Sequence, residues 1–529
     1  MNQIHLLSEY QQLLFKDGLL TETVFNGMET APVVLLTYNS KEVVPGTLFI
    51  CKGLNFKEQY LQEALEKGAI AYVSETAYAG FENVPHLLVS DIRKAMPPLA
   101  DLAFNSPWKS LTSVAVGGTK GKTTTIYYVK SIVDEYMESI GGRESALSST
   151  IDNYDGVTRV EARNTTPEAV ELQALMRRAV DHGITHMEME VSSQALKYDR
   201  VAGLRMNVGI FLNISEDHIS PNEHKDFEDY LSSKLKMFAL CDHAVVNLDA
   251  DCIDRVLAAA KDSHTMVTYS TENPAADYYA SQIVKKNGET HFTVTCKDFS
   301  EDFALTMPGL FNVSNATAAI AAAHYMGIPV EIMRSGLYHA KASGRMEPYT
   351  SQDGKVTVLV DYAHNKLSFE NLFQSVKEEF KGYDIVAIYG CPGYKAVNRR
   401  KDLGEIAGKY ADKVYLTVED PGREPFDHIC EEASYYITQQ GCPCEIIEDR
   451  GVAIHKAIME CRRPTVILIL GKGNETRDRY GTKFMHRPSD SEYTRMFMKF
   501  YDEAPFHALE LPGNGTQPPE EYYAKTLES

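Results

Sequence analysis

The residues best equipped for chemistry stand together in one stretch, Gly118-Thr119-Lys120-Gly121-Lys122-Thr123-Thr124, between the apolar run 113–117 and a run of helical character that continues to Ile132. A strand, a glycine-bounded loop and a helix in that order leave backbone N–H groups pointing inward. The positive end of the helix dipole adds to them, and together they cradle phosphate. Gly118 and Gly121 let the backbone approach closely, Lys122 reaches the β- and γ-phosphates as a mobile cation, and the Thr123 hydroxyl ligates Mg²⁺. The full phosphate-loop pattern has a glycine five residues before Gly121, where this chain has Val116, so the loop is a shortened variant. The expected ligand is ATP or GTP.

Four more groups of candidates lie behind strand-like runs. Asn164-Thr165-Thr166-Pro167-Glu168 precedes a proline-initiated helix and serves either as a helix cap or as a ligand clamp. Glu190 ends the strand 186–191, where a carboxylate beside the phosphate loop can hold Mg²⁺ directly or through water. His218 follows the strand 207–213, and Lys234 lies beside Lys236 on the helix 227–240. Singly, these read as a surface ion-pair partner, a satisfied loop histidine and part of a solvated face. Their common position, behind consecutive strands of one sheet, is where α/β proteins gather ligands. Asn312 and Asn315, three apart at the start of the alanine-rich helix 316–325, either cap that helix or reach a purine base.

The elements that must position these residues form three α/β domains, as the length of 529 residues allows. Residues 1–107 read as a small α/β domain: an amphipathic helix from Ile4, strands at 47–51, 70–73 and 86–89, and a polar turn that carries Ser40. Residues 108–345 alternate strands, including 244–248, with helices around the phosphate loop, which predicts a mostly parallel sheet of the P-loop ATPase type. Residues 346–505, with strands at 357–360, 385–389, 413–417 and 466–470, predict a Rossmann-like, doubly wound domain. Residues 506–529, polar and proline-bearing, read as a disordered tail.

Composition excludes some partners. A net charge of −20 speaks against nucleic acid, which wants a basic face. The amino terminus has no basic region followed by an apolar stretch, and no apolar run approaches the ~20 residues of a membrane span, so a cytoplasmic protein without a membrane partner is expected. Nine cysteines, an odd number spread along the chain, fit reduced thiols. Cys442-Pro443-Cys444 lacks a second pair at ligand spacing and reads as structural.

Taken together the segments resemble the Mur ligase family, the ATP-dependent amino-acid ligases of peptidoglycan synthesis. The likeness rests on eight ordered motifs, 118–124, 164–168, 189–193, 213–218, 230–238 around Lys234, 309–315, 344–347 and 360–365, and covers nearly the whole chain except the tail. Within the family it is nearest to the members that add the third residue of the peptide. The resemblance implies that ATP phosphorylates the free carboxylate of UDP-N-acetylmuramoyl-L-alanyl-D-glutamate and that the amine of an incoming amino acid displaces the phosphate. The protein's share is mostly positioning and charge stabilisation. It further implies that Lys122 and Thr123 hold phosphates and a first Mg²⁺ with Glu190, that His218 binds a second Mg²⁺, and that Lys234 is carbamylated by CO₂. Asn312, Asn315, Arg345 and Asp361 match ATP contacts. Ser40, Asn164, Thr165, Thr166, Ser193 and Arg200 match contacts to the UDP substrate, while Tyr198 departs from the family's glutamine.

For the amino acid, the resemblance points to Lys395, Asp420, Pro421, Gly471 and Glu475. Relatives that add meso-diaminopimelate carry Asp-Asn-Pro-Arg, whose arginine reads the distal carboxylate at two points. Here the stretch is Glu419-Asp420-Pro421-Gly422, with Arg423 adjacent, and Glu419, Asp420 and Glu424 make the neighbourhood acidic. L-lysine is therefore the expected diamino acid, L-ornithine the next, and meso-diaminopimelate is disfavoured. A monomer is expected. A P-loop regulatory ATPase is the alternative of another class, but it needs neither the third domain nor Lys234.

Overall fold

The computed structural model describes residues 4–53, 56–216, 219, 223–286, 288–503 and 526–527. The chain forms two compact units, one of Met1–Ser281, Thr293–Asp302 and Asn315–Leu337, the other of Gln282–Phe292, Phe303–Ser314 and Tyr338–Ser529.

The first unit begins with a five-stranded sheet, ordered Leu20–Val24, His86–Val89, Ala69–Ser74, Thr47–Ile50, Leu35–Thr37. All neighbours are parallel except the first pair. The strands TLFI and HLLV are buried along their whole length, which is why they read as unbroken apolar runs rather than alternating ones. Leu7, Tyr10 and Leu14 of helix Leu7–Lys16 pack with Ile92, Met96 and Leu99 of helix Ile92–Ala103 on one face, and Leu61 and Ala64 of helix Glu58–Glu66 lie in a separate cluster. Asp91 caps the second of these helices by accepting from the N–H groups of Arg93 and Lys94.

A second sheet, of eleven strands among the described residues, belongs to this unit except for parts of its last three strands. Its order is Arg159–Glu161, Asp152–Tyr154, Ala146–Ser148, His186–Glu190, Thr112–Gly117, Met206–Phe211, Cys241–Asn247, Thr265–Ser270, Tyr278–Lys286, Glu289–Thr295, Ser300–Leu305. From Ala146–Ser148 to Tyr278–Lys286 every pairing is parallel, and the first three strands form an antiparallel meander. The mostly parallel sheet agrees with expectation. The short polar strands at one end were not anticipated, because three residues without an apolar face give no period. His186–Glu190 shows the period clearly: Met187 and Met189 enter the core, while Glu188 and Glu190 alternate with them and are nonetheless buried. The helix expected at 227–240 is an α-helix, Phe227–Leu235, that tightens into a 3-10 turn, Lys236–Leu240.

In the second unit six strands are ordered Glu347–Thr350, Val356–Asp361, Thr465–Leu470, Asp384–Tyr389, Lys413–Leu416, Cys444–Ile446. The first is antiparallel and the rest parallel, with apolar clusters that include Leu359, Leu416 and Leu468 on one side and Val358, Tyr415 and Ile467 on the other. Beneath its carboxyl edge a fully buried pair, Arg450 and Asp490, is joined by two bonds of 2.7 Å, and the same guanidinium donates to Leu470 O. The tail departs from a wholly disordered reading at one place: Thr526–Leu527 pairs antiparallel with Lys483–His486. The edge of the hairpin Arg477–Tyr480 and Lys483–His486 offers backbone donors and acceptors to any passing segment. The other residues of 506–529 lie outside the described residues. All nine cysteines are free. Among the described residues no helix is long and apolar enough to cross a membrane.

Candidate active site

Strand Thr112–Gly117 delivers the phosphate loop and helix Lys122–Ser139 receives it. Gly121 has φ of +83°, and a Cβ there would stand 2.5 Å from Asn315 Oδ1, so both backbone conformation and space require glycine. Asn315, buried at the start of its helix, thus faces the loop. Lys122 Nζ donates to Gly118 O at 2.9 Å and to Thr119 O at 3.1 Å. Lys234, read singly as part of a solvated face, is instead 3% exposed, and its Nζ donates to the same Gly118 O at 2.7 Å. Two ammonium groups therefore meet at one carbonyl of the loop.

The loop is fastened by a residue for which the sequence suggested no role. Asn213 Oδ1 accepts from Thr119 N at 3.0 Å and Lys120 N at 2.8 Å, and its Nδ2 donates to Lys120 O at 3.1 Å. Those two N–H groups are turned to Asn213 and not to a phosphate, which alters the expectation of a loop whose N–H groups all point inward. The first turn of the helix follows, with Thr123 and Thr124 buried there, and a helix start is the place where backbone N–H groups have no intrahelical acceptor. Thr119 Oγ1 lies 3.0 Å from Tyr230 OH, tying the loop to the helix that carries Lys234.

Glu190 ends its strand in register with Val116 of the loop's strand, fully buried. Its two oxygens accept from Thr150, one from the N–H at 2.8 Å and one from the hydroxyl at 3.1 Å. The hydroxyl of Thr166 donates to Glu190 O at 2.9 Å and accepts from Ser192 N at 3.0 Å. Glu168 occupies the cap position of the following helix without a side-chain cap bond, so the segment 164–168 is not a helix cap but a brace on the strand end. Thr165 is half-buried beside the Thr150 hydroxyl, and Asn164 is exposed. Arg200 pairs with Glu168 at 2.9 Å and donates to Thr166 O at 3.1 Å, and Lys52 pairs with Glu168 at 2.6 Å. The Ser193 hydroxyl meets His224 Nε2 at 3.0 Å. Ser40 donates to Glu63 Oε2 at 2.9 Å, so its hydroxyl already has a protein acceptor. Tyr198 stacks under the Arg93 guanidinium, 4.1 Å from the ring centroid. His218 lies outside the described residues.

On the same face of strand His186–Glu190, Glu188 is buried and its carboxyl is pushed up to about 8 by that burial, against the opposing pull of Lys130. Lys130 Nζ in turn donates to Asp134 Oδ2 and Ser145 O, each at 2.8 Å. Nothing in the order of residues singles Glu188 out.

In the second unit the carboxyl ends of the parallel strands collect a separate group. Asp361 accepts from Met346 N at 2.8 Å and from Ala363 N at 2.7 Å. The Arg345 guanidinium lies 4.4 Å from the Tyr362 ring centroid, and Tyr362 OH donates to Glu475 Oε1 at 2.9 Å. Asn312 Nδ2 donates to Pro308 O at 2.6 Å, a local tie at the helix start. Gly471 has φ of +102°, and a Cβ on it would collide with Glu419 Oε2. Glu419 is buried, and burial raises its carboxyl to about 7 against the pull of Arg450 and Lys472. Lys472, 2% exposed, is a hub that the sequence did not reveal: its Nζ lies 3.3 Å from Asp420, 2.6 Å from Glu475 and 3.4 Å from Asp478. Pro421 is buried and Lys395 exposed.

These pairings revise the acidic neighbourhood inferred from Glu419, Asp420 and Glu424. Glu424 is held at about 2 by the Arg400 guanidinium, 2.7 Å away, and Asp420 faces Lys472. Counting charges along the sequence overstates the local field, because the cations that neutralise them come from Arg400 and Lys472, distant in the chain.

Two family models match the chain: the Mur ligase middle domain over residues 116–323 and the Mur ligase glutamate ligase domain over residues 344–473. A UDP-N-acetylmuramyl-tripeptide synthetase of Lactobacillus delbrueckii subsp. bulgaricus is 38% identical over 480 residues, 87% of this chain and 91% of that protein. The UDP-N-acetylmuramoyl-L-alanyl-D-glutamate--L-lysine ligase of Enterococcus faecalis is 37% identical over 449 residues, 83% of this chain and 87% of its own. Among solved structures, a UDP-N-acetylmuramoyl-L-alanyl-D-glutamate--2,6-diaminopimelate ligase aligns with a TM-score of 0.63 over 95% of this chain and all of that one, at 23% identity, a likeness of fold.

Proposed function

The chain belongs to the Mur ligase family of ATP-dependent ligases, and from that premise we propose that it adds a diamino acid, L-lysine, to UDP-N-acetylmuramoyl-L-alanyl-D-glutamate in the cytoplasm. The observation that carries the reading is the meeting of Lys122 and Lys234 at Gly118 O, at the start of helix Lys122–Ser139. Two ammonium groups so close repel one another, and a phosphate group between them, or conversion of Lys234 to a carbamate, removes the repulsion. A carboxylate is a poor electrophile. Transfer of the γ-phosphoryl group of ATP to the D-glutamyl carboxylate makes an acyl phosphate, the amine of lysine attacks its carbonyl carbon, and phosphate leaves with one carboxylate oxygen.

In this reading residues 1–107 hold the uridine nucleotide near Ser40, residues 108–345 hold ATP, and residues 346–505 hold the amino acid. Gly118, Thr119, Lys120, Gly121, Lys122, Thr123, Thr124 and Asn315 of the first unit, and Asn312, Arg345 and Asp361 of the second, are assigned to ATP, each by its match to the family's motifs. The Thr123 hydroxyl and the Glu190 carboxylate are oxygen donors of the kind Mg²⁺ takes, and His218 and a carbamylated Lys234 would join them in holding the ion. Bound Mg²⁺ would neutralise phosphate charge. Asn164, Thr165, Ser193 and Arg200 orient the peptide end, with Thr166 bracing the strand beneath them. Lys395, Asp420, Pro421, Gly471 and Glu475 receive the amino acid. Gly422 stands where an arginine would read a second carboxylate, and the Enterococcus relative is an L-lysine ligase. Phosphate release with the nucleotide dipeptide and matched concentrations of L-lysine, L-ornithine and meso-diaminopimelate tests the specificity. A higher kcat/KM with meso-diaminopimelate would transfer the reading role to Arg423 or Lys395.

A further inference from the structure

A second cluster in the first unit has the composition of a transition-metal site. Cys296 and Asp298 occupy the tight turn between strands Glu289–Thr295 and Ser300–Leu305, closed by Cys296 N donating to Phe299 O at 2.9 Å. His324 comes from the last turn of helix Phe311–Tyr325. A thiol sulfur, a carboxylate oxygen and an imidazole nitrogen from these three residues lie within 4.8 Å of one another. The imidazole is also held: its Nδ1 is 2.7 Å from Tyr278 OH, while Nε2 lies 3.8 Å from Asp298 Oδ2. A ligating histidine characteristically gives its other nitrogen to such a partner, which fixes ring orientation. The Phe299 ring meets His324 edge-on at 5.2 Å between centroids and walls one side.

We infer that Cys296, Asp298 and His324 form a binding site for one Zn²⁺ ion, clamping the turn at 296–299 to the end of helix Phe311–Tyr325. Sulfur, imidazole and carboxylate are the ligand types that zinc takes, and three protein ligands leave a fourth position for water. Bonds of 2.0–2.3 Å in a tetrahedron place donor atoms roughly 3.5 Å apart, so side-chain rotations of about 1 Å close the cluster around the ion. The charges also balance, because thiolate and carboxylate together offset the dication. Binding takes the proton from the Cys296 thiol to solvent, leaves Nε2 as the lone-pair donor and leaves Nδ1–H donating to the Tyr278 hydroxyl. Lys297 Nζ, 3.9 Å from Asp298 and 88% exposed, is free to swing aside. None of these residues belongs to the ATP site, and the hard, oxygen-seeking Mg²⁺ has no preference for a thiolate.

The full reduced chain, stripped with a chelator, is titrated with Co²⁺ as a spectroscopic stand-in for zinc. The expected result is one equivalent bound, with a thiolate-to-cobalt charge-transfer band and the intense visible bands of a tetrahedral ion, all displaced by Zn²⁺. Cys296→Ser should remove the charge-transfer band, whereas Cys252→Ser and Cys444→Ser should keep it. Tyr278→Phe should keep the band and weaken affinity about 10- to 100-fold. Absence of a band in the wild type, or its survival in Cys296→Ser, overturns the assignment. Should Cys296→Ser fail to fold, alkylation of wild-type Cys296, mapped by peptide mass, decides: protection by Zn²⁺ supports the site and an unchanged rate overturns it.

Discussion

Replacing Asn213 by alanine removes three side-chain bonds that hold the phosphate loop, the acceptances from Thr119 N and Lys120 N and the donation to Lys120 O, at 2.8 to 3.1 Å, while Thr119 N keeps its second acceptor, the Asn213 backbone oxygen, at 3.1 Å. Each such bond is worth about 1 kcal/mol net. Part of that is recovered by water, since Asn213 is only half-buried, and part by the retained Thr119 bond, which leaves roughly 1–2 kcal/mol of loop ordering to be supplied by ATP when it binds. At about 1.4 kcal/mol per tenfold, ATP affinity should fall about 5- to 30-fold. Isothermal titration with a non-hydrolysable ATP analogue measures the loss directly, and steady-state phosphate release gives the matching rise in KM. The same bonds count toward folding, so the midpoint of urea unfolding should also fall, by the equivalent of up to about 1–2 kcal/mol, with the protein still folded under assay conditions. An affinity within twofold of wild type in a folded Asn213→Ala protein would refute the idea that this side chain organises the loop.

Lys122→Ala should leave unfolding free energy within about 0.5 kcal/mol of wild type and cost 10³-fold or more in turnover, as phosphoryl-transfer sites that lose a cation do. Near-normal kcat would remove this loop from the mechanism. Lys234→Ala should lose most activity and regain part of it with added formate or acetate, which supply carboxylate oxygens. A variant indifferent to both anions, with native circular dichroism, counts against a carbamate. For Glu188 the sign is set by a raised carboxyl: it ionises near 4.5 in the unfolded chain and about 8 when buried. The stability it contributes is complete below pH 4.5 and lost as pH rises through 8. Glu188→Gln stays neutral throughout, so wild type should lose stability relative to it by up to about 1.4 kcal/mol per pH unit across that window. Urea unfolding at a series of pH values measures the difference, and a flat one would show that Glu188 is ionised in the fold.

The α/β frame could be read from the chain because strands such as VTVLVD and TVILIL are buried on both faces and leave no polar alternation to confuse the reading. Lys122, Glu190 and Lys234 could be read because their residue types stand at strand ends or on the next helix. Their partners could not. Asn213 is an ordinary polar residue after a strand until the loop is seen against it, 93 and 94 positions earlier in the chain. Lys472 looks like a solvated loop cation until Asp420, Glu475 and Asp478 close around it. The acidic reading of residues 419–424 failed for the same reason, since Arg400 reaches Glu424 across 24 positions. Polar pairings over such separations leave no period in sequence, and the field at a site is set by them.

Ligation through an acyl phosphate moves a carboxylate oxygen into phosphate, and isotope transfer reads that movement. The nucleotide dipeptide, labelled with ¹⁸O in both oxygens of the reacting D-glutamyl carboxylate, is incubated with the full-length protein, ATP, Mg²⁺ and L-lysine, and both products are weighed by mass spectrometry. Ligation through an acyl phosphate leaves one labelled oxygen in each released phosphate, one in the new amide, and a nucleotide heavier by one lysine residue for every ADP formed. Phosphate free of label, or ADP formed without any gain in nucleotide mass, would contradict it.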